Sequence, residues 1–207
     1  MIGIINYGSG NIQAIANIYK EHNIEYMVIT KPEELELVNR LILPGVGSFD
    51  STMDQLEKSG LIGPLNTLVT ESKTPILGIC VGMQIMADSS EEGSKPGLGW
   101  ISGEVCKFDP MTIKEKPYLP HMGWNSIHNV KEGVLFNKVD LKTGFYFIHS
   151  FYFKEADAST ILAKASYGKD FTCAIHKGNV FGVQFHPEKS HSNGMNLLLN
   201  FATKELC

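Results

Sequence analysis

Between the N-terminus and Cys80, apolar residues fall into short unbroken blocks, alternating with stretches where they recur every three or four positions. Ile2 to Ile5 is the first block, closed by Tyr7-Gly8-Ser9-Gly10-Asn11, after which Ile12, Ile15, Ala16 and Tyr19 share one helical face. Blocks at Tyr26 to Ile29, Arg40 to Leu43 and Pro75 to Ile79 predict three further strands, and Pro44-Gly45-Val46-Gly47 closes the middle one. Pro32-Glu33-Glu34-Leu35 opens a short acidic helix, because early proline and first-turn glutamate both suit a helix start. Phe49, Met53 and Leu56, then Leu61 to Val69, predict helical material interrupted near Gly60 and Pro64, and Met83 to Ala87 begins the next helix. Strands alternating with helices imply a parallel sheet covered on both faces. The strands carry little polar alternation, which is what burial of both faces produces.

The pattern changes after Gly103. Short alternating or aromatic-rich segments follow at Glu104 to Phe108, Phe145 to Phe153, Thr160 to Ala165, Phe171 to Ile175 and Val180 to Phe185. Asn129, Gly133, Gly168-Lys169-Asp170 and Lys177-Gly178-Asn179 separate them as turn signals. A last helix is predicted from Asn193 to Lys204, with Leu197, Leu198 and Phe201 on its buried side. The expected class is therefore α/β: a three-layer, open, mostly parallel sheet flanked by helices, with a mixed or antiparallel strand region in the second half. No repeat, low-complexity tract or linker divides the chain, so residues 1–207 are expected to form one domain.

Composition narrows the functions available. A chain of 207 residues with a formal net charge of -4 and no basic run or basic aromatic stripe is a poor nucleic-acid binder. The cysteines, Cys80, Cys106, Cys173 and Cys207, have neither metal-ligand spacing nor the density of a disulfide scaffold, which suits a reducing, cytoplasmic setting. The apolar N-terminus is too brief for a secretion signal, and no run approaches the roughly 18 residues of a membrane span. There is no phosphate loop or nucleotide fingerprint, so no cofactor is expected.

The candidate chemistry sits at two strand ends. Gly78-Ile79-Cys80-Val81-Gly82 places a cysteine in a glycine-flanked turn after a buried strand. Such a turn exposes sulfur, and a following helix start offers free N–H groups that favour thiolate. Taken alone, a buried structural cysteine is the competing account. Phe185-His186-Pro187-Glu188 ends another apolar run with an imidazole, a strand-terminating proline and a carboxylate that is able to turn back and orient the ring. Nucleophile, base and orienting acid are all present. The loop at Gly45 to Gly47 frees backbone N–H groups for an oxyanion, together with the amide after Cys80, although a plain tight turn has the same composition. His22, His128, His176 and His191 read as solvated, whereas His121 and His149, set among aromatic residues, are candidates for pocket-lining loops. No arrangement has the spacing of a metal site.

With these motifs in order, the chain resembles the class I, triad-type glutamine amidotransferases over nearly its whole length. The resemblance is carried by Asn6-Tyr7-Gly8-Ser9-Gly10-Asn11, Leu43-Pro44-Gly45-Val46-Gly47, Gly78-Ile79-Cys80-Val81-Gly82-Met83-Gln84, Ser90-Glu91-Glu92-Gly93, Pro120-His121-Met122-Gly123-Trp124-Asn125, Phe147-Ile148-His149-Ser150 and Phe185-His186-Pro187-Glu188-Lys189-Ser190. Within that family it is similar to the glutaminase subunits of imidazole glycerol phosphate synthases. The resemblance implies that Cys80 attacks glutamine, that His186 is the base oriented by Glu188, and that Gly47 and Val81 supply the oxyanion hole. It further implies that Gly45, Gln84, His149 and Ser150 hold the glutamine. Asn11, Trp124, Asn125 and Lys189 fall in segments resembling the side that faces a partner.

That partner would be a β/α-barrel cyclase in a heterodimer, receiving ammonia for imidazole glycerol phosphate in histidine biosynthesis. The sequence departs from the usual family pattern at Asn6, where aspartate is common, and at Val81, where leucine is. Gly97-Leu98-Gly99-Trp100-Ile101 and Lys189-Ser190-His191 resemble a sister branch whose partner is an N-acetyl-sugar amidotransferase making amidino sugars for surface polysaccharide. A stand-alone peptidase or γ-glutamyl hydrolase, and an inactive binding module, are the alternatives from other classes. Because the oxyanion loop is rich in glycine and free to flip, low glutaminase activity is expected of the isolated chain.

Overall fold

A computed structural model describes residues 1–114, 118–131 and 133–205, without the side chain at 134; Cys207 lies outside the described residues. Five parallel strands form one half of the main sheet: β1 (Ile2–Ile5), β2 (Tyr26–Ile29), β3 (Arg40–Gly45), β4 (Ile76–Cys80) and, from the far end of the chain, β12 (Val180–Val183). Their order is β2-β1-β3-β4-β12, all neighbours parallel. Every residue of β1, β4 and β12 is buried, as strands covered on both faces require.

The sheet then turns antiparallel through β11 (Lys169–Lys177), β9 (Phe151–Glu155) and β6 (Gly103–Lys107), and ends on the short β5 (Ser89–Ser90). β10 (Ile161–Tyr167) pairs with β11 off this path. A separate two-stranded ribbon joins β7 (His121–Asn125) to β8 (Phe145–His149). The second-half strands predicted from the sequence thus both extend the sheet and build a small second one.

Helices α1 (Ile12–Glu21), α2 (Phe49–Lys58) and α5 (His191–Thr203) flank the sheet, with Leu197, Leu198 and Phe201 fully buried on α5 as expected. The acidic segment Pro32–Leu37 is a 3-10 helix. Helix α3 (Ile62–Asn66) runs directly into a π turn at Thr67–Glu71. Pro64 does not interrupt it, because proline in a first turn gives up an N–H that has no intrahelical acceptor.

Four further local expectations are corrected. Strand β3 runs on through Pro44 to Gly45, which is in register with Cys80. The predicted single run from Phe145 to Phe153 is two strands broken at Ser150. His121 and His149 belong to strands rather than loops, and are direct partners across the ribbon. The helix after Cys80 is α4 (Val81–Gln84), a single turn that begins two residues earlier than the periodicity suggested and stops before Ala87. Its α pattern ends with the Ile85 N–H donating to Val81 O: the N–H groups of Met86 and Ala87 donate only three residues back, to Met83 O and Gln84 O, and that of Asp88 leaves the helix for Gly103 O.

Candidate active site

The register of β3, β4 and β12 brings the two chemical motifs to one sheet edge. Gly45 lies opposite Cys80, and Val183 opposite Ile79, so β12 exits beside the nucleophile candidate. Open α/β sheets place their ligand chemistry at this carboxyl end of the strands. Cys80 occupies the turn between β4 and α4 with φ 55° and ψ -114°, a strained backbone for a non-glycine residue. The turn is crowded from behind: a Cβ at Gly82 would stand 1.9 Å from the carbonyl oxygen of Leu43. Only glycine admits β3 that closely, and the elbow is held rigid as a result.

Past β12, Pro187–Lys189 forms a 3-10 turn that folds Glu188 back onto its neighbour. Glu188 Oε1 accepts from His186 Nδ1 at 2.8 Å and from Asn11 Nδ2 at 2.6 Å. Asn11 stands at the N-cap of α1, yet its side chain makes no cap bond and serves this carboxylate instead. The loop is also tied to β8: the His186 N–H donates to Tyr146 O, and Ser190 Oγ donates to His186 O while accepting from the Tyr146 N–H.

Burial by itself would lower the pKa of His186. The hydrogen bonds and charge interactions it makes with Cys80 and Glu188 outweigh that and raise it to about 10. Burial would raise Glu188, but the hydrogen bond and charge of His186, helped by Asn11, hold it below the usual carboxylate range. Sulfur, imidazole and carboxylate are therefore in one hydrogen-bonded line, with a base kept charged beside the sulfur.

This line opens on a cavity of about 390 Å³ whose walls include Gly47, Val81, Gln84, Glu92 and the Ile148 to Phe151 stretch. Asn11 and Lys189 also line it, whereas Trp124 and Asn125 line a different, more polar cavity of about 490 Å³ across the β7–β8 ribbon. The larger cavity is lined by no cysteine, whereas the smaller is lined by both Cys80 and His186, so the chemistry belongs to the smaller. Gly45 lies behind the wall, where a Cβ would come within 2.5 Å of the Gly82 nitrogen. In the oxyanion loop, the Val46 N–H donates to Ser9 Oγ, and that hydroxyl donates back to Val46 O, both at 2.9 Å. Of the two loop residues lining the cavity, Gly47, at φ 101° with open space around it, is then the one whose N–H is available.

Beside the cavity His149 and His121 form a buried pair, with His149 Nε2 and His121 Nδ1 2.9 Å apart. Burial lowers both, to about 3 and about 4, so each is neutral at pH 7. Their tautomers follow from the fixed ends. Phe151 O only accepts, so His149 Nδ1 carries the hydrogen for that 2.7 Å bond and its Nε2 accepts from His121 Nδ1. His121 Nε2 in turn accepts from Asn125 Nδ2 at 3.2 Å. Both His149 ring nitrogens are thus engaged inside the protein.

The other histidines are peripheral. His22 closes α1, His128 pairs with Asp170, His176 stacks on Phe181, and His191 stacks on Trp124 at the start of α5. Two residues at the site escaped sequence reasoning. Glu92 lines the cavity and is oriented there by the Phe49 N–H, which donates to its Oε2. Gln184 is wholly buried, 3.8 Å from the Cys80 sulfur. A polar residue inside an otherwise apolar strand run was the available signal for the second. Among the described residues, no three His, Cys, Asp or Glu side chains gather as a metal site, and no helix is long and apolar enough to cross a membrane.

A family model for class I glutamine amidotransferases matches residues 3–204. The imidazole glycerol phosphate synthase subunit HisH of Leptospira borgpetersenii is 48% identical over 203 residues, which cover 98% of this chain and 100% of that one. The protein of the same name from Bdellovibrio bacteriovorus is 49% identical, over 98% of this chain and 99% of that one. A chain from the structure of PurLQS from Thermotoga maritima superposes with a TM-score of 0.71 at 16% identity, over 97% of this chain and 96% of that one, and so shares the fold.

Proposed function

The chain belongs to the class I glutamine amidotransferases, and from that premise we propose that it is the glutaminase subunit of an imidazole glycerol phosphate synthase, cleaving L-glutamine at Cys80 and passing the ammonia to a synthase partner. The full-length similarity to HisH subunits supports the pathway. The observation that carries the chemistry is the line of Cys80, His186 and Glu188, converging from β4 and β12 on one cavity.

The Cys80 sulfur attacks the side-chain carboxamide carbon, forming a C–S bond and moving the carbonyl electrons onto oxygen. The N–H groups of Gly47 and Val81 receive that oxyanion. His186, already protonated, gives its proton to the departing nitrogen, so the C–N bond breaks and ammonia leaves a γ-glutamyl thioester. Neutral His186 then takes a proton from water as the water adds to the thioester, and collapse releases glutamate and the sulfur. Glu188 stays ionised throughout and holds the ring by Nδ1. The amino-acid end of glutamine is zwitterionic, and Glu92 places a carboxylate where its ammonium is to be met.

Val46, Met122, Trp124 and Ile148 are exposed large apolar residues near the rim or along the β7–β8 ribbon, and this face suits a partner collecting ammonia. We assign Trp124, Asn125 and Lys189 to it. Asn11 has its side chain committed to Glu188, so its part is in the site. The acceptor we favour is a β/α-barrel cyclase in a heterodimer. A sugar amidotransferase would use the same glutaminase half, and co-purification from the native cell tells the two apart.

Diazo-oxo-norleucine, a glutamine analogue, tests the glutaminase assignment. Covalent labelling of Cys80, and loss of glutamine-dependent but not ammonia-dependent synthesis in Cys80→Ala, are the expected results. No labelling with the partner present, or loss of both activities in the variant, overturns it.

A further inference from the structure

Gln184 has no place in the chemistry above, yet its side chain is fully buried between Cys80 and the cavity-lining Gln84. Its Nε2 donates to Cys80 Sγ at 3.8 Å, and its Oε1 accepts from Gln84 Nε2 at 2.9 Å. The direction of this amide is not free. Gln84 Nε2 also donates to Phe151 O at 3.1 Å, so the Gln84 amide nitrogen faces two acceptors and its orientation is set. Phe151 O is in turn the end point of the chain running from Asn125 through His121 and His149. With Gln84 presenting N–H to Gln184, the Gln184 carbonyl must face Gln84 and its NH₂ must face the sulfur. The reversed amide would set two N–H groups against each other and turn a carbonyl oxygen, which has no hydrogen to donate, toward the sulfur.

We propose that Gln184 is a positioning residue of the glutaminase site, donating to the Cys80 sulfur and, through its carbonyl, turning Gln84 so that Gln84 offers an acceptor oxygen to the glutamine. This rests on the assignment of Cys80 as the nucleophile. A hydrogen bond to the charged form of a group favours that form, so the contact stabilises the attacking thiolate and restores it after each turnover. The acceptor on Gln84 suits the donor end of glutamine and disfavours a ligand bearing an anion at that position. Two separate consequences follow, one on the sulfur and one on substrate binding.

The test uses the full chain with Gln184→Met, which keeps length and volume but removes donor and acceptor together. The rate of Cys80 alkylation by iodoacetamide is followed against pH by mass spectrometry, and glutamine hydrolysis is followed with the synthase partner present. We expect the alkylation midpoint to rise by about one pH unit, with kcat down about tenfold and KM for glutamine up severalfold. Gln184→Asn keeps an amide but ends one methylene short of the sulfur. It is expected to move the midpoint and KM in the same direction, and it decides the matter should the methionine variant fail to fold. A folded variant with the wild-type midpoint and wild-type KM overturns the proposal. Failure of the underlying assignment looks different: the wild-type complex itself then hydrolyses no glutamine, while the alkylation curves still report on the Gln184 contact.

Discussion

Two groups of histidine sit within this site at nearly equal burial, His186 at 2% exposed and His121 and His149 at 4% and 6%, yet they carry opposite charge states. At the end of β12, His186 is lifted to about 10 because a sulfur and a carboxylate lie against it. On the β7–β8 ribbon, burial pushes His149 and His121 to about 3 and about 4 with no anion to offset it, since their hydrogen-bond partners are a carbonyl, an amide and each other. Burial penalises the imidazolium in both places, so it does not decide the outcome. What decides it is whether an anion has been brought within hydrogen-bonding reach. One region stores a proton for chemistry. The other uses neutral rings as fixed hydrogen-bond links.

Breaking the charged member has the largest effect. His186→Asn removes the proton donor and acceptor, and glutamine hydrolysis is expected to fall at least about 10³-fold while ammonia-driven synthesis by the complex persists. Equal loss of both reactions would contradict the role given to this ring. Converting the first region toward the second is a sharper step. Glu188→Gln takes away the anion but leaves a side chain of the same shape, so kcat is expected to drop about 100-fold, with the His186 titration, followed by NMR, moving below its present value of about 10. An unmoved titration would mean that the carboxylate is not what holds the proton.

Stability should depend on pH through the same contrast. His121 and His149 have folded values below the ordinary one near 6.5, so the unfolded chain takes up protons first as pH falls, and stability decreases below about pH 6.5. His186 has a raised folded value, so its contribution is complete below about pH 6.5 and is lost as pH rises through about 10. Each buried ring contributes a slope of up to about 1.4 kcal/mol per pH unit in its window. Urea unfolding at a series of pH values should therefore give a dome centred near pH 6 to 7. A curve still climbing at pH 9 would contradict the assigned shift of His186. The smallest effect is expected at the support of the carboxylate: Asn11→Ala removes one hydrogen bond to Glu188 and should lower kcat by about fivefold, with a KM close to wild type. A wild-type kcat would show that Glu188 does not need this partner.

Much of the scaffold was legible in the order of residues. β1, β2 and β4 lie where short apolar blocks predicted strands, and α1 buries Ile15, Ala16 and Tyr19 on the face their spacing marked out. The elbow at Cys80 and the pairing of His186 with Glu188 were legible too, since both depend on neighbours close in the chain. What escaped was governed by partners far away. The chain leaves α4 after one turn to pair Asp88 with Gly103, and its next carbonyls, at Ile85 to Ala87, accept from Leu98, Gly99 and Ile101, while His121 lies in a strand because β8 pairs with it. Asn11 reads as a surface residue because nothing around it in sequence reveals a carboxylate at a separation of 177 residues.

The sequence by itself determined the alternation of strand and helix, the class of sheet that results, and the location of cysteine and histidine at strand ends. Periodicity, glycine and proline act over a few residues, and the chain carries them wherever it goes. Tertiary structure alone decided which groups meet. The contact of Gln184 with Cys80 spans 104 residues, and the opposite charge states of equally buried histidines follow from which side chains the sheet order sets beside them. Electrostatic and hydrogen-bonding effects at this range depend on distance in space, which strand order sets and local pattern does not.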